Sequence, residues 1–136
     1  MADIVRSTVL PDAGAALIDA PEFATLATVE PSGQPQLSVI WVRRDGGDVL
    51  FSTVRGRRKA ANLERDPRAT LLVYPAARPY SYLEVRGTVS FTDDPDGSLI
   101  HALATKYTGA PRWEFDAPGT PRVIGRLTPD TVVFTA

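Results

Sequence analysis

The sequence contains no cysteine, which excludes disulfide bridges, thiolate metal centres and cysteine nucleophiles together. It has one histidine, His101, so a histidine zinc site or a Ser-His-Asp relay would have to be built around that single ring. No metal site is expected. No apolar run approaches the roughly 20 residues of a membrane-spanning helix, and the first ten residues lack the apolar core of a secretory signal. A cytoplasmic protein with no membrane partner is the expectation. Neither charge is in excess, since 15 Lys and Arg stand against 16 Asp and Glu for a formal net charge of -1. Dedicated nucleic-acid binders draw affinity from surplus Lys and Arg, so no nucleic-acid partner is expected. Neither a repeat nor a low-complexity tract is present. What remains is a 136-residue chain, 43% hydrophobic and 23% charged, which can bury one sizeable core and reads as a single domain over residues 1–136.

The near-neutral total conceals an uneven distribution. Residues 43–86 carry ten Arg and Lys against five Asp and Glu, while the rest of the chain carries five against eleven. An anion site is therefore expected in the middle of the chain.

Pro11 before an Ala-rich stretch, with Pro21 after it, predicts a short first helix. Residues 23–30 read as a strand, and Pro31, Ser32 and Gly33 supply a turn. Residues 36–44 place Leu37, Val39 and Trp41 on one face and Ser38, Ile40 and Val42 on the other, the pattern of a central strand covered on both sides. Asp45-Gly46-Gly47-Asp48 is a hairpin signal leading into a strand over residues 49–53. A short helix follows from Arg57 and ends before Pro67, then a strand over residues 69–74. Residues 82–91 alternate cleanly, with Leu83, Val85, Gly87, Val89 and Phe91 inward and Gly87 marking a bulge. Asp94 is placed to cap a helix beginning at Pro95, with Leu99, Ala102, Leu103 and Tyr107 as its buried stripe and Gly109 at its end. Trp113 and Phe115 anchor a Gly- and Pro-rich loop, and residues 122–127 and 131–135 finish the chain as strand, broken near Pro129. About six strands and three short helices predict a mainly β, antiparallel sheet curled into a small barrel.

The most informative stretch is residues 51–63, FSTVRGRRKAANL. A strand ends in Ser52 and Thr53, a glycine loop follows, and a helix opens with Arg57, Arg58 and Lys59. Cations at a helix start oppose the macrodipole, so three of them need another reason. A bound phosphate supplies one, through two hydroxyls, free helix-start amides and the basic side chains. A solvated charged face accounts for the spacing alone equally well.

The order strand, Ser-Thr, loop, Arg-Arg-Lys, Asn-Leu, Asp-Pro-Arg, strand resembles the pyridoxamine 5′-phosphate oxidase-like split-barrel family. Within it, the chain is most similar to the small members that use the deazaflavin coenzyme F420 in place of a flavin. The match runs from the Ala24 strand to the last strand, with Arg58-Lys59-Ala60 and Asp66-Pro67-Arg68 its most specific steps. The resemblance implies an FMN-binding-like split β-barrel that forms a homodimer, with the cofactor in clefts at the dimer interface. It implies that the phosphate rests on Ser52, Thr53, Arg57, Arg58 and Lys59. The ring would lie along Ser38, Val39, Ile40 and Trp41, covered by the partner chain near the position of Tyr80.

Two departures bear on the cofactor. The vitamin-B6 branch begins its second strand with an Arg and ends it with a Lys that touch the flavin, where this chain has Gln36 and Leu37, then Trp41 and Val42. That branch also uses an Arg and a His near the C-terminus, and nothing after Arg126 matches them. The resemblance thus implies F420 ahead of FMN, and an activity other than pyridoxamine oxidation. The expected reaction is hydride transfer between F420 and a small organic substrate, such as an activated alkene, a quinone or a tetrapyrrole. A proton would come from solvent or from a hydroxyl such as Tyr80 or Tyr82, and no catalytic side chain is assigned. Arg55 and Arg78 would meet the anionic glutamate tail of F420. An FMN-binding or haem-handling relative is the alternative within the fold. A different class, a small barrel binding single-stranded nucleic acid, would stack bases on Trp41, Tyr74, Tyr80 and Tyr82. His101 reads as a helix-face residue, Glu84 and Arg86 as a surface pair, and Asp93, Asp94 and Asp96 as capping residues.

Overall fold

The computed structural model describes residues 3–136. Met1 and Ala2 lie outside the described residues, so the reading of the first ten residues is met only from Asp3 onward. In chain order the elements are β1 (Ile4–Ser7), α1 (Asp12–Asp19), β2 (Ala24–Val29), β3 (Pro35–Ile40), β4 (Arg43–Asp45) and β5 (Asp48–Val54). They continue with α2 (Arg58–Arg65), β6 (Arg68–Val73), β7 (Leu83–Asp93), α3 (Ser98–Thr108) and β8 (Arg122–Thr135).

The strands form one antiparallel sheet in the order β3-β2-β6-β7-β8-β5-β4, with β1 paired to β8. Among the described residues there are eight strands where about six were expected, for two reasons. β1 adds itself to the end of β8, and the run over residues 36–44 divides at Trp41 into β3 and β4. The last strand is not broken at Pro129. β8 runs through it because Pro129 sits opposite Gly87, where a register shift between Arg86 and Gly87 absorbs the irregularity. A side chain at position 87 would lie 2.0 Å from the Thr128 carbonyl oxygen, so only glycine fits there.

The alternation in β7 buries Leu83, Val85, Gly87 and Val89, and these pack with Leu26, Leu71, Phe51, Leu127 and Val132 in the barrel core. Burying such side chains contributes about 1.5–3 kcal/mol each and holds the curled sheet together. The central-strand expectation for β3 is corrected. β3 pairs only with β2 and ends the strand order, and Leu37 and Val39 on its outer face are 64% and 69% exposed.

β3 and β4 stand at opposite ends of the strand order, yet only Trp41 and Val42 separate them in the chain. The sheet therefore curls until its two ends face each other, which makes the barrel a split one. α3 packs beside this split, with Leu99 and Leu103 against Leu50, Trp41 and Ile124. The helix begins at Ser98 rather than Pro95, because a turn from Asp94 to Gly97 precedes it and Gly97 takes the left-handed conformation at φ 67°. Asp94 still caps it, accepting hydrogen bonds from the Ser98 and Leu99 amides at 3.1 and 3.0 Å. The buried stripe is Leu99, Ile100, Leu103 and Ala104, one residue round from the expected face.

Candidate functional site

The turn from β5 into α2 sets the position of the basic run. Gly56 adopts φ 92°, which reverses the chain at little steric cost, and the Arg57 amide bonds back to the Val54 carbonyl at 3.1 Å. Further along α2, buried Asn62 donates to the Thr28 hydroxyl at 3.0 Å, and that hydroxyl donates to Gln36 at 2.7 Å. One polar chain thus fastens α2 to β2 and β3 and holds its first turn at the split.

A cleft of about 240 Å³ opens there. Its walls include Val39 and Ile40 from the end of β3, Trp41 just beyond it, Ser52 from β5, and Arg57 and Lys59 from the start of α2. Six of the ten residues expected to hold a cofactor are therefore brought together. The other four stand elsewhere. Arg58 is exposed and pairs with Glu30 at 3.5 Å, because successive helical residues face different directions. Tyr80 is 84% exposed in the loop between β6 and β7, away from the cleft of its own chain. Thr53 follows Ser52 on the same strand and so faces the barrel interior, fully buried. Ser38 likewise shares the inner face, opposite Leu26. The hydroxyl oxygens of Ser38, Ser52 and Thr53 are all buried without a hydrogen-bond partner among the described residues.

Sequence reasoning missed Phe23, Ile100, Leu103 and Arg122 as cleft residues, and took Trp113 only for a loop anchor. The one available signal was an Arg opening an apolar strand, where a buried guanidinium must find a partner. Arg122 is 4% exposed and grips Asp116 with two hydrogen bonds of 2.8 Å. The Trp113 indole donates to the same carboxylate at 3.0 Å, and the Trp113 amide donates to His101 Nδ1 at 3.1 Å. His101 thus helps to hold the wall. The Arg122 guanidinium pulls the Asp116 carboxyl down to about 2.

Lys59 has no such partner. It is half-buried and makes no ion pair among the described residues, and burial, with Arg57 and Arg122 nearby, lowers the pKa of its ammonium. Three cations face the cleft, and among the described residues only Arg122 has a carboxylate. Together with the unpartnered Ser52 hydroxyl this is a set of donors lacking an acceptor, the chemistry of a phosphate site. Aromatic rings also line the cleft, and the Arg122 guanidinium lies over the Trp113 ring, 5.9 Å from its centroid. Trp41 stands edge-on to Trp113 at 5.8 Å between ring centroids. A flat ring carrying a phosphate suits this combination of cations and aromatic rings.

Arg55, expected to meet an anionic tail, is already paired with Glu64 and Asp93 at 2.7 and 2.8 Å. Arg78 lines a separate hollow with Ala13 and Phe134. Trp41 has one ring face covered by Tyr107 and is half-buried in the cleft, whereas Tyr74 and Tyr80 are exposed, so the three do not form one open row of platforms for bases.

Comparisons with known proteins agree with this architecture. A solved structure described as an F420 reductase is 33% identical and superposes with a TM-score of 0.81, covering 90% of this chain and 97% of that one. A heme binding protein from Mycobacterium smegmatis shares the fold at 18% identity and a TM-score of 0.67, covering 90% of this chain and 57% of that one. The pyridoxine/pyridoxamine 5'-phosphate oxidase of Bordetella pertussis is 37% identical over 108 residues, which are 71% of this chain and 51% of that protein. The chain spans about half the length of the curated relatives it matches. The family described as Pyridoxamine 5'-phosphate oxidase matches residues 10–136, and the chain belongs to that family.

Proposed function

We propose that this protein is an oxidoreductase that holds F420 in the split of the barrel and exchanges a hydride with a small organic substrate. The observation that carries the reading is the cleft itself, which Arg57, Lys59 and the unpartnered Ser52 hydroxyl line together with Trp41 and Trp113. Arg57, Lys59 and Ser52 would hold the phosphate, with Arg122 as the third cation. Val39, Ile40 and Trp41 would carry the ring, Trp41 by stacking and the other two by apolar contact. When bound, F420 supplies the hydride chemistry, which leaves the chain to position the ring and exclude water. Ile100 and Leu103 serve the second task, since their apolar side chains wall the cleft. The absence of an evident acid, base or nucleophile among the cleft residues is in keeping with this division of labour.

The choice of F420 over FMN rests on Trp41 and Val42 standing where the flavin-using branch has a Lys, and on the likeness to the F420 reductase. FMN is the alternative, since the phosphate end serves either cofactor. An activated alkene, a quinone or a tetrapyrrole would suit the apolar wall. The deciding experiment is titration of the protein with F420, FMN and haem side by side, where tightest binding of F420 supports the reading and of haem overturns it.

The protein is further proposed to be a homodimer. Phe23, Leu37 and Val39 are each more than 60% exposed around the β3 edge, a cluster of apolar surface that a second copy would cover. Sedimentation at micromolar concentration is expected to give a dimer, and Leu37→Asp to shift it to monomer. A wild-type monomer would remove Tyr80 from the site altogether.

A further inference from the structure

Tyr107 of α3 stands behind the cleft and does not line it. Its ring is sandwiched between two that do. Phe23 lies 5.9 Å away at an interplanar angle of 23°, and Trp41 lies 5.3 Å away at 9°. Its hydroxyl accepts a hydrogen bond from the Val42 amide at 3.1 Å and donates one to the Glu22 carbonyl at 2.8 Å. Val42 adjoins Trp41 and Glu22 adjoins Phe23. One side chain therefore spaces the two rings and grips the backbone from which each of them springs.

The grip matters because the sheet provides none there. Trp41 and Val42 lie between the end of β3 and the start of β4, outside the strand ladders. Lys106 completes the hold. Its ammonium donates to the Val42 and Ile18 carbonyls, each at 2.6 Å. Burial raises the pKa of the Tyr107 phenol, which keeps its hydroxyl protonated and able to donate. Leu99 and Leu103 anchor α3 in the apolar cluster on Leu50, against which the Tyr107 ring also packs, while the Tyr107 hydroxyl and the Lys106 ammonium hold the backbone at Glu22, Val42 and Ile18.

We infer that Tyr107, seconded by Lys106, is a positioning residue that sets where Phe23 and Trp41 meet the ring of a bound cofactor. The inference rests on reading the cleft as a ring-and-phosphate site, and it adds a determinant that no residue of the cleft wall supplies.

The test compares ring-bearing and ringless ligands on the wild type, Tyr107→Phe and Lys106→Met, by calorimetric titration with F420, FMN and inorganic pyrophosphate. Tyr107→Phe keeps the stack and removes both hydroxyl bonds. It is expected to weaken the ring cofactors about 5- to 10-fold, the scale of two modest hydrogen bonds, and to leave pyrophosphate within about twofold. Lys106→Met should reproduce the same split at about 3- to 5-fold, and it carries the test should thermal melts show Tyr107→Phe to be unfolded. Equal weakening of pyrophosphate and ring cofactors would mean a purely structural role and overturn the inference. Variants that bind the cofactors as tightly as the wild type would overturn it alone. A wild type that binds neither cofactor would overturn the reading of the site and the inference with it.

Discussion

Arg55 and Lys59 lie four residues apart in the same basic run and have opposite surroundings. Arg55 is exposed and clasped by two carboxylates, Glu64 from α2 and Asp93 from the end of β7. Lys59 is half-buried with none. The same division runs through the neighbourhood, where Arg58 has Glu30 while Arg57, beside the cleft, has no carboxylate among the described residues. Beyond it, Arg44 is matched by Asp19, Arg68 by Asp66 and Arg86 by Glu84. Much of the positive surplus between residues 43 and 86 is thus neutralised locally, partly by acids from outside that stretch. Charge density along the chain shows where cations are made. Which of them keep a free valence for a ligand is decided by the fold.

Arg122 belongs to both classes, since it is paired with Asp116 and also lines the cleft, and removing it should have the largest effect. Arg122→Met is expected to lower stability by about 3 kcal/mol, because one partner of a largely buried pair is lost and the other is stranded beside Trp113. Urea denaturation measures this, and a loss under about 1 kcal/mol would place the pair with ordinary surface pairs.

Next comes the contrast of Lys59→Ala with Arg55→Ala. The first is expected to weaken cofactor binding by about 1.5–3 kcal/mol, the scale of a hydrogen bond to a charged group, with the fold intact. The second should leave binding unchanged, its cation being occupied already. Equal effects from both would mean that only the overall field matters, and the distinction between paired and unpaired cations would collapse.

The same physics explains what was legible in the sequence. The alternation of β7, the turns at Gly33 and Gly46, and the short α2 ended at Pro67 are local signals, and the folded chain follows them. β3 was misplaced because Leu37 and Val39 carry the apolar signature of burial while facing outward, and pattern alone does not tell a buried apolar face from an exposed one. Of the site, the run from Ser52 to Lys59 was readable because it is contiguous. Phe23, Trp113 and Arg122 were not, since they reach the cleft from three distant segments that only the curled sheet brings together.

Acidification sharpens the comparison by a smaller margin. The Arg122 guanidinium holds the Asp116 carboxyl down to about 2 in the folded protein, below the ordinary aspartate value of 3.8. A folded-state pKa below the unfolded one makes a contribution that is fully present above about pH 4 and is lost as pH falls through about 2. Asp66, beside the exposed Arg68, is lowered to a similar value and adds to the same limb. Melting temperatures from pH 5 to pH 2 should therefore fall less steeply in Asp116→Asn than in the wild type. Parallel curves would mean that the Arg122 pair contributes no pH-dependent stability.

The smallest effect expected is that of salt on the preference for F420 over FMN. Both cofactors would bring a phosphate to Arg57 and Lys59, so the phosphate would not separate them. Two sources of discrimination remain, the ring end at Trp41 and the anionic tail of F420. The tail needs exposed cations, and Arg55 is held by Glu64 and Asp93, whose own charges would repel it. Each exposed contact still open to the tail is worth about 0.2–1 kcal/mol and is screened as ionic strength rises. The preference should therefore shrink by less than about fivefold between low and high salt, because most of it comes from stacking that ions do not screen. Competition between the two cofactors at both salt concentrations measures it. A preference that vanishes at high salt would show that the tail carries it after all, through cations other than Arg55. FMN binding more tightly at both concentrations would move the protein to the flavin-using branch and leave Lys59 and Arg57 serving a different ring.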